Sequence, residues 1–98
     1  MHARHVVHAC SNASVAQAAL FSIGGAFVAE FASEAERHRL GCGSYAARLV
    51  KDFAENARAE DWTRADEAAH GVELPVLSCL HFILSQGLAT AQGDSHPN

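Results

Sequence analysis

From residue 14 onward, apolar side chains recur every three or four positions along most of the chain. Leu20, Gly24, Phe27, Val28, Phe31 and Ala35 trace one stripe, widened by Phe21 and Ile23, which is the spacing of one face of an α-helix. Ser14 followed by Gln17 fits a capping box at its start. Arg37, His38 and Arg39 gather in the last turn, where cations suit the negative end of the helix dipole, and Gly41 offers a stop. The pattern predicts a first helix of about 25 residues, roughly 40 Å long.

A second stripe follows. Ala46, Leu49, Val50, Phe53 and Ala57 share one helical face, with Arg48, Lys51, Asp52, Glu55 and Arg58 opposite and Ser44 as the cap. Asp61 or Thr63 restarts a short third helix that ends at Gly71. A single bent helix over residues 44–70 competes, because neither Pro nor Gly separates the two pieces. Pro75 suits the first turn of a fourth helix. Val76, Leu77, Cys79, Leu80, Phe82, Ile83, Leu84 and Leu88 make that helix apolar nearly all round, so it should be the most buried, with Ser85, Gln86 and Gly87 ending it. His81 reads as a polar residue at the edge of the core.

The expected architecture is therefore all-α, a small bundle of about four helices, the first long and the last most buried. Residues 1–10 show no clear helical period and read as a flexible arm. Residues 11–88 read as a single helical domain and residues 89–98 as a disordered tail.

Composition sharpens this reading. The chain has 98 residues, 49% of them hydrophobic, and a formal net charge of −4, which suits one folded domain and argues against disorder. Mild acidity without a clustered basic face argues against nucleic-acid binding. Twenty alanines favour helix, and the dominance of Arg over the single Lys51 points to a high-G+C coding sequence, hence a bacterial or mobile-element source. Cys10, Cys42 and Cys79 have no paired spacing, so they read as thiols in a reducing compartment. The apolar run from Val15 to Ala29 falls short of the roughly 20 residues that span a bilayer. Cytoplasmic localisation without membrane attachment is the expectation.

Candidate chemistry is sparse. His2, His5 and His8, with Cys10 beyond, carry zinc-, nickel- or copper-binding groups, against the plainer reading of a solvated histidine-containing arm. Glu67 and His70 form an E-x-x-H pair that could combine with Glu30 and Glu34 across a dimer. The plainer reading is a polar helix end with a His favouring the dipole. Cys42, between Gly41 and Gly43 and near His38 and Arg39, is a candidate reactive thiol or an inert loop residue. Small residues at Ala18, Ser22, Ala26 and Ala29, with Gly24 and Gly25, would let another helix approach closely, either the fourth helix or a second copy in a homodimer.

No phosphate loop, dinucleotide fingerprint, nucleophile elbow or paired-cysteine metal motif occurs. By subtraction, the reading is a non-catalytic protein-binding module without a cofactor, an adaptor, inhibitor or accessory subunit. It would act through an exposed helical face bearing Phe31, Glu30, Glu34 and Trp62. The alternative is a metal-binding helical bundle using Glu67, His70 and Glu34, or the histidine arm.

Overall fold

A computed structural model of the chain describes residues 3–71 and 74–94, with side chains up to residue 89 in the last helix. Six α-helices and no strands are found among the described residues: α1 (Ala3–Cys10), α2 (Ala13–Ile23), α3 (Gly25–Arg37), α4 (Cys42–Asn56), α5 (Ala59–Ala68) and α6 (Pro75–Asp94). The all-helical class matches the expectation, while the number and lengths of the helices differ for identifiable reasons.

Residues 3–10 are not a free arm. Ala3, Val6, Val7 and Cys10 fall on one helical face and are all buried, leaving His5 and His8 in solvent. The backbone N–H of Ala3 also donates to Asp66 Oδ1 at 2.6 Å, tying α1 to α5. Between α1 and α2 the cap is Asn12 rather than Ser14. Its side-chain oxygen accepts from the N–H groups of Ser14 (2.9 Å) and Val15 (3.2 Å), satisfying donors that a helix start leaves open.

The long first helix is broken in two. Gly24 and Gly25 both take positive φ, 69° and 68°, a conformation that costs an L-residue about 1–2 kcal/mol and glycine almost nothing. At the far end of α3 the stop is Arg39, left-handed at φ 57°, and not Gly41. Arg39 N–H donates to Glu36 O and Leu40 N–H to Ala35 O, the paired bonds of a Schellman ending. Gly41 is instead the N-cap of α4, which therefore begins before Ser44. Gly43 marks the crossing of α4 on α2, since a Cβ there would lie 2.6 Å from the carbonyl oxygen of Ala13.

Residues 44–70 resolve into two helices rather than one. Ala57 and Arg58 are both extended, and the Asp61 carboxylate accepts the Arg58 N–H at 3.0 Å, restarting the helix as α5. The last helix runs through Gly87 to Asp94, so residues 89–94 are helical and not a disordered tail, while residues 95–98 lie outside the described residues. Gly87 persists inside α6 because Leu49 side-chain atoms lie 3.1–3.3 Å from where its Cβ would be.

Cys79, Leu80, Ile83 and Leu84 of α6 have no exposed surface, and α6 packs against α1, α2, α4 and α5, making it the central element the apolar pattern predicts. His81 is exposed at the core edge, its ring edge-on to Phe27 at 4.4 Å. No single helix among the described residues is long and apolar enough to cross a membrane.

Candidate functional site: a groove beside α4

The close approach of Leu49 to Gly87 brings α4 and α6 together, and beside that contact lies an open groove of about 630 Å³. Tyr45, Leu49 and Phe53 recur at helical spacing along one side, with Arg48, Asp52 and Asn56 on the rim. Ile83, Gln86 and Gly87 of α6 form the other side. His38, just past α3, closes one end and Asp61, in the first turn of α5, the other.

The His38 end is built on a buried carboxylate. Glu34 is 7% exposed, with Oε2 3.3 Å from a guanidinium nitrogen of Arg37 and Oε1 3.4 Å from Nε2 of His38. The His38 ring stacks on Tyr45 at 4.8 Å, and the Phe31 ring lies tilted against Tyr45 at 5.2 Å. Tyr45 is thus held by its ring, yet its hydroxyl, shut off from solvent, has no hydrogen-bond partner among the described residues. Such a group destabilises the fold by about 1–3 kcal/mol. Burial, and next the negative charge of Glu34, push the Tyr45 pKa above its ordinary value, so the phenol stays protonated and acts as a donor.

The rest of the rim carries both signs of charge. Arg48 is exposed and, among the described residues, has no carboxylate within ion-pair distance. Asp61 is committed to its capping role and to a long contact from Gln86 Nε2 at 3.4 Å. The Arg58 N–H, above all, holds the Asp61 carboxyl below the usual range. Asn56 Nδ2 donates back to the Asp52 carbonyl at 2.9 Å, which leaves the Asp52 carboxylate on the rim.

The predicted partner-contacting residues are scattered. Phe31 has no exposed surface and belongs to the core, so it cannot anchor a partner. Glu34 is buried in the arrangement above, whereas Glu30 is exposed on α3. Trp62 is half-buried, edge-on to Phe53 at 5.0 Å and covered by the Arg4 guanidinium at 4.4 Å, which makes it a clamp between α1, α4 and α5. The small-residue face is not filled by any of the described residues. Ala18, Ser22, Ala26 and Ala29 are exposed, as are Val15 (45%) and Phe21 (52%).

The metal candidates do not assemble. Glu67 and His70 are exposed at the end of α5, and neither is paired with the buried Glu34, whose partners are Arg37 and His38. His5 and His8 face solvent while Cys10 faces the core, and His2 lies outside the described residues. Among the described residues, no group of three His, Cys, Asp or Glu side chains is placed to hold a metal ion. Cys42 is half-buried in the first turn of α4, and the nearby His38 engages Glu34 and Tyr45 instead.

Sequence reasoning passed over Tyr45, the central residue of the groove. A signal was present in Tyr45, Leu49 and Phe53, a second apolar row on the shoulder of the α4 stripe. The opposing wall was not visible, because Gly87 reads locally as a helix stop. Comparison with known proteins gave no matching family model, no matching curated protein and no matching solved structure.

Proposed function

We propose that this chain is a non-catalytic protein-binding module that receives an amphipathic helical segment of a partner in the groove between α4 and α6. The observation that carries the reading is the groove itself. It follows α4 from Tyr45 to Asn56, about 16 Å at the rise of an α-helix. Leu49 and Phe53 supply an apolar lining over the buried Ile83, and Arg48, Asp52, Asn56 and Asp61 a mixed polar rim. A helix laid in a groove uses this combination, with apolar anchors at i, i+3, i+4 and i+7 below and polar residues along the edges. The exposed helical face moves from Phe31 and Trp62, which the fold occupies, to the open side of α4.

Support for a non-catalytic role comes from the state of the titratable groups. Glu34 and His38 are paired with each other, Asp61 caps a helix, and burial opposes ionisation of Tyr45. The groove therefore offers groups for recognition and no free base beside a nucleophile. An adaptor, inhibitor or accessory subunit of a bacterial system, working in the cytoplasm with its cysteines reduced, is the role we assign.

The test compares partner capture from the native host by the wild type, by Arg48→Glu/Asp52→Arg and by Phe21→Glu. All three altered residues are exposed, so the variants should fold. Loss of one specific partner in the rim variant, with retention in Phe21→Glu, is expected. Loss in Phe21→Glu alone would move the interface to α2 and overturn the groove reading.

A further inference from the structure

We propose that the partner segment inserts a carboxylate side chain, glutamate or aspartate, at the Tyr45–Arg48 end of the groove. This inference rests on the helix-docking reading above and specifies its chemistry. Two residues that line that end carry donors. The Tyr45 hydroxyl is buried and, among the described residues, without a partner, although its residue lines the groove. The Arg48 side chain, on the same α4 face, has no carboxylate within ion-pair distance among the described residues.

The carboxylate whose charge acts most strongly on Tyr45 is already engaged. Glu34 has one oxygen on Arg37 and the other on His38. A neutral acceptor from the partner would satisfy the phenol and leave Arg48 unpaired. A carboxylate satisfies both, and charged hydrogen bonds are stronger than neutral ones.

One turn further along, Asp52 presents its own carboxylate to the rim and repels a second acid. The expected partner signature is therefore a single acid, with a basic or amide residue three or four positions away on the same face. Apolar side chains between them meet Leu49 and Phe53, which keep some exposed surface. The hydroxyl is shut off from water, so the carboxylate reaches it only as neighbouring side chains move, and His38, exposed and stacked on the Tyr45 ring, is one placed to do so.

The experiment selects from a displayed library of short helical peptides on the intact protein. The strongest binder is then synthesised as selected and with its acid replaced by glutamine. Binding is followed by nuclear magnetic resonance on the labelled protein and by calorimetry. Enrichment of one acid is expected, with the glutamine peptide about tenfold weaker. Arg48→Gln should abolish that difference and Tyr45→Phe should reduce it. Peptides that shift the Leu49, Phe53 and Ile83 signals but bind equally well with acid or glutamine would overturn the carboxylate assignment and leave helix docking intact. If no peptide shifts those signals, or if octanoate fills the groove where peptides do not, both readings fall.

Discussion

Deleting a single oxygen atom, by Tyr45→Phe, should make this protein more stable. A Tyr hydroxyl that is hydrogen-bonded contributes about 1 kcal/mol, so the exchange usually weakens a fold. Here the hydroxyl is buried without a partner among the described residues, on a residue only 2% exposed. Removing it relieves a desolvation penalty of about 1–3 kcal/mol. The small void left behind returns a few tenths of a kcal/mol at about 24 cal/mol per Å³. The ring keeps its contacts with Phe31 and His38, so the packing is otherwise kept.

The net expectation is a gain of about 1–2 kcal/mol, and a chain this size shifts in Tm by about 4–8 °C per kcal/mol. Urea and thermal denaturation followed by circular dichroism measure it directly. The sign decides the matter. A variant less stable than wild type would mean that the phenol is hydrogen-bonded in solution, with Glu34 the first suspect. A double-mutant cycle with Glu34→Gln would then show coupling between the two. A variant that is more stable but binds its partner less well would be a group kept for function at a cost in stability.

Two further expectations follow from the packing and the buried thiols. Gly43→Ala should destabilise by about 1–3 kcal/mol despite alanine's better helix propensity, since its Cβ meets the α2 backbone at Ala13. Gly41→Ser, at an N-cap with open space around it, should gain a few tenths of a kcal/mol, and equal urea midpoints for the two variants would refute the α2–α4 crossing. Burial, with Asp66 and then Cys10 adding to it, pushes the Cys79 thiol from its ordinary 9.0 up to about 11, and burial raises Cys10 as well. The unfolded chain ionises first, so stability should be full below pH 9.0 and fall between there and about 11. The slope is up to about 1.4 kcal/mol per pH unit for each such group. Cys79→Ala should flatten part of that slope, whereas a wild-type urea midpoint constant across the window would contradict the burial of both thiols.

Much of the helical content was legible because helix formation is largely local. The stripe from Ala46 to Ala57, the proline at the head of α6 and the all-round apolar character of Cys79 to Leu84 each identify a helix or its buried side. The stripe of α1 was equally present in Ala3, Val6, Val7 and Cys10, but two alanine- and cysteine-sized positions among histidines give a weak periodic signal. Of the candidate site residues, only Glu30 stands in solvent as expected for a partner contact. Phe31 and Glu34 are buried and Trp62 is held by its neighbours.

What the residues alone determined is the kind of secondary structure and the side of each element that avoids water, since both depend on neighbours within a few positions. Tertiary structure decided how those sides meet. Gly24 and Gly25 adopt positive φ in the break between α2 and α3, whereas Gly87 stays helical because Leu49 occupies the space its side chain would fill. The same amino acid thus ends one helix and lies within another. Periodicity records which face of a helix is apolar but not the angle or distance at which another helix covers it. The groove, and the isolated phenol in its wall, are products of that angle and distance.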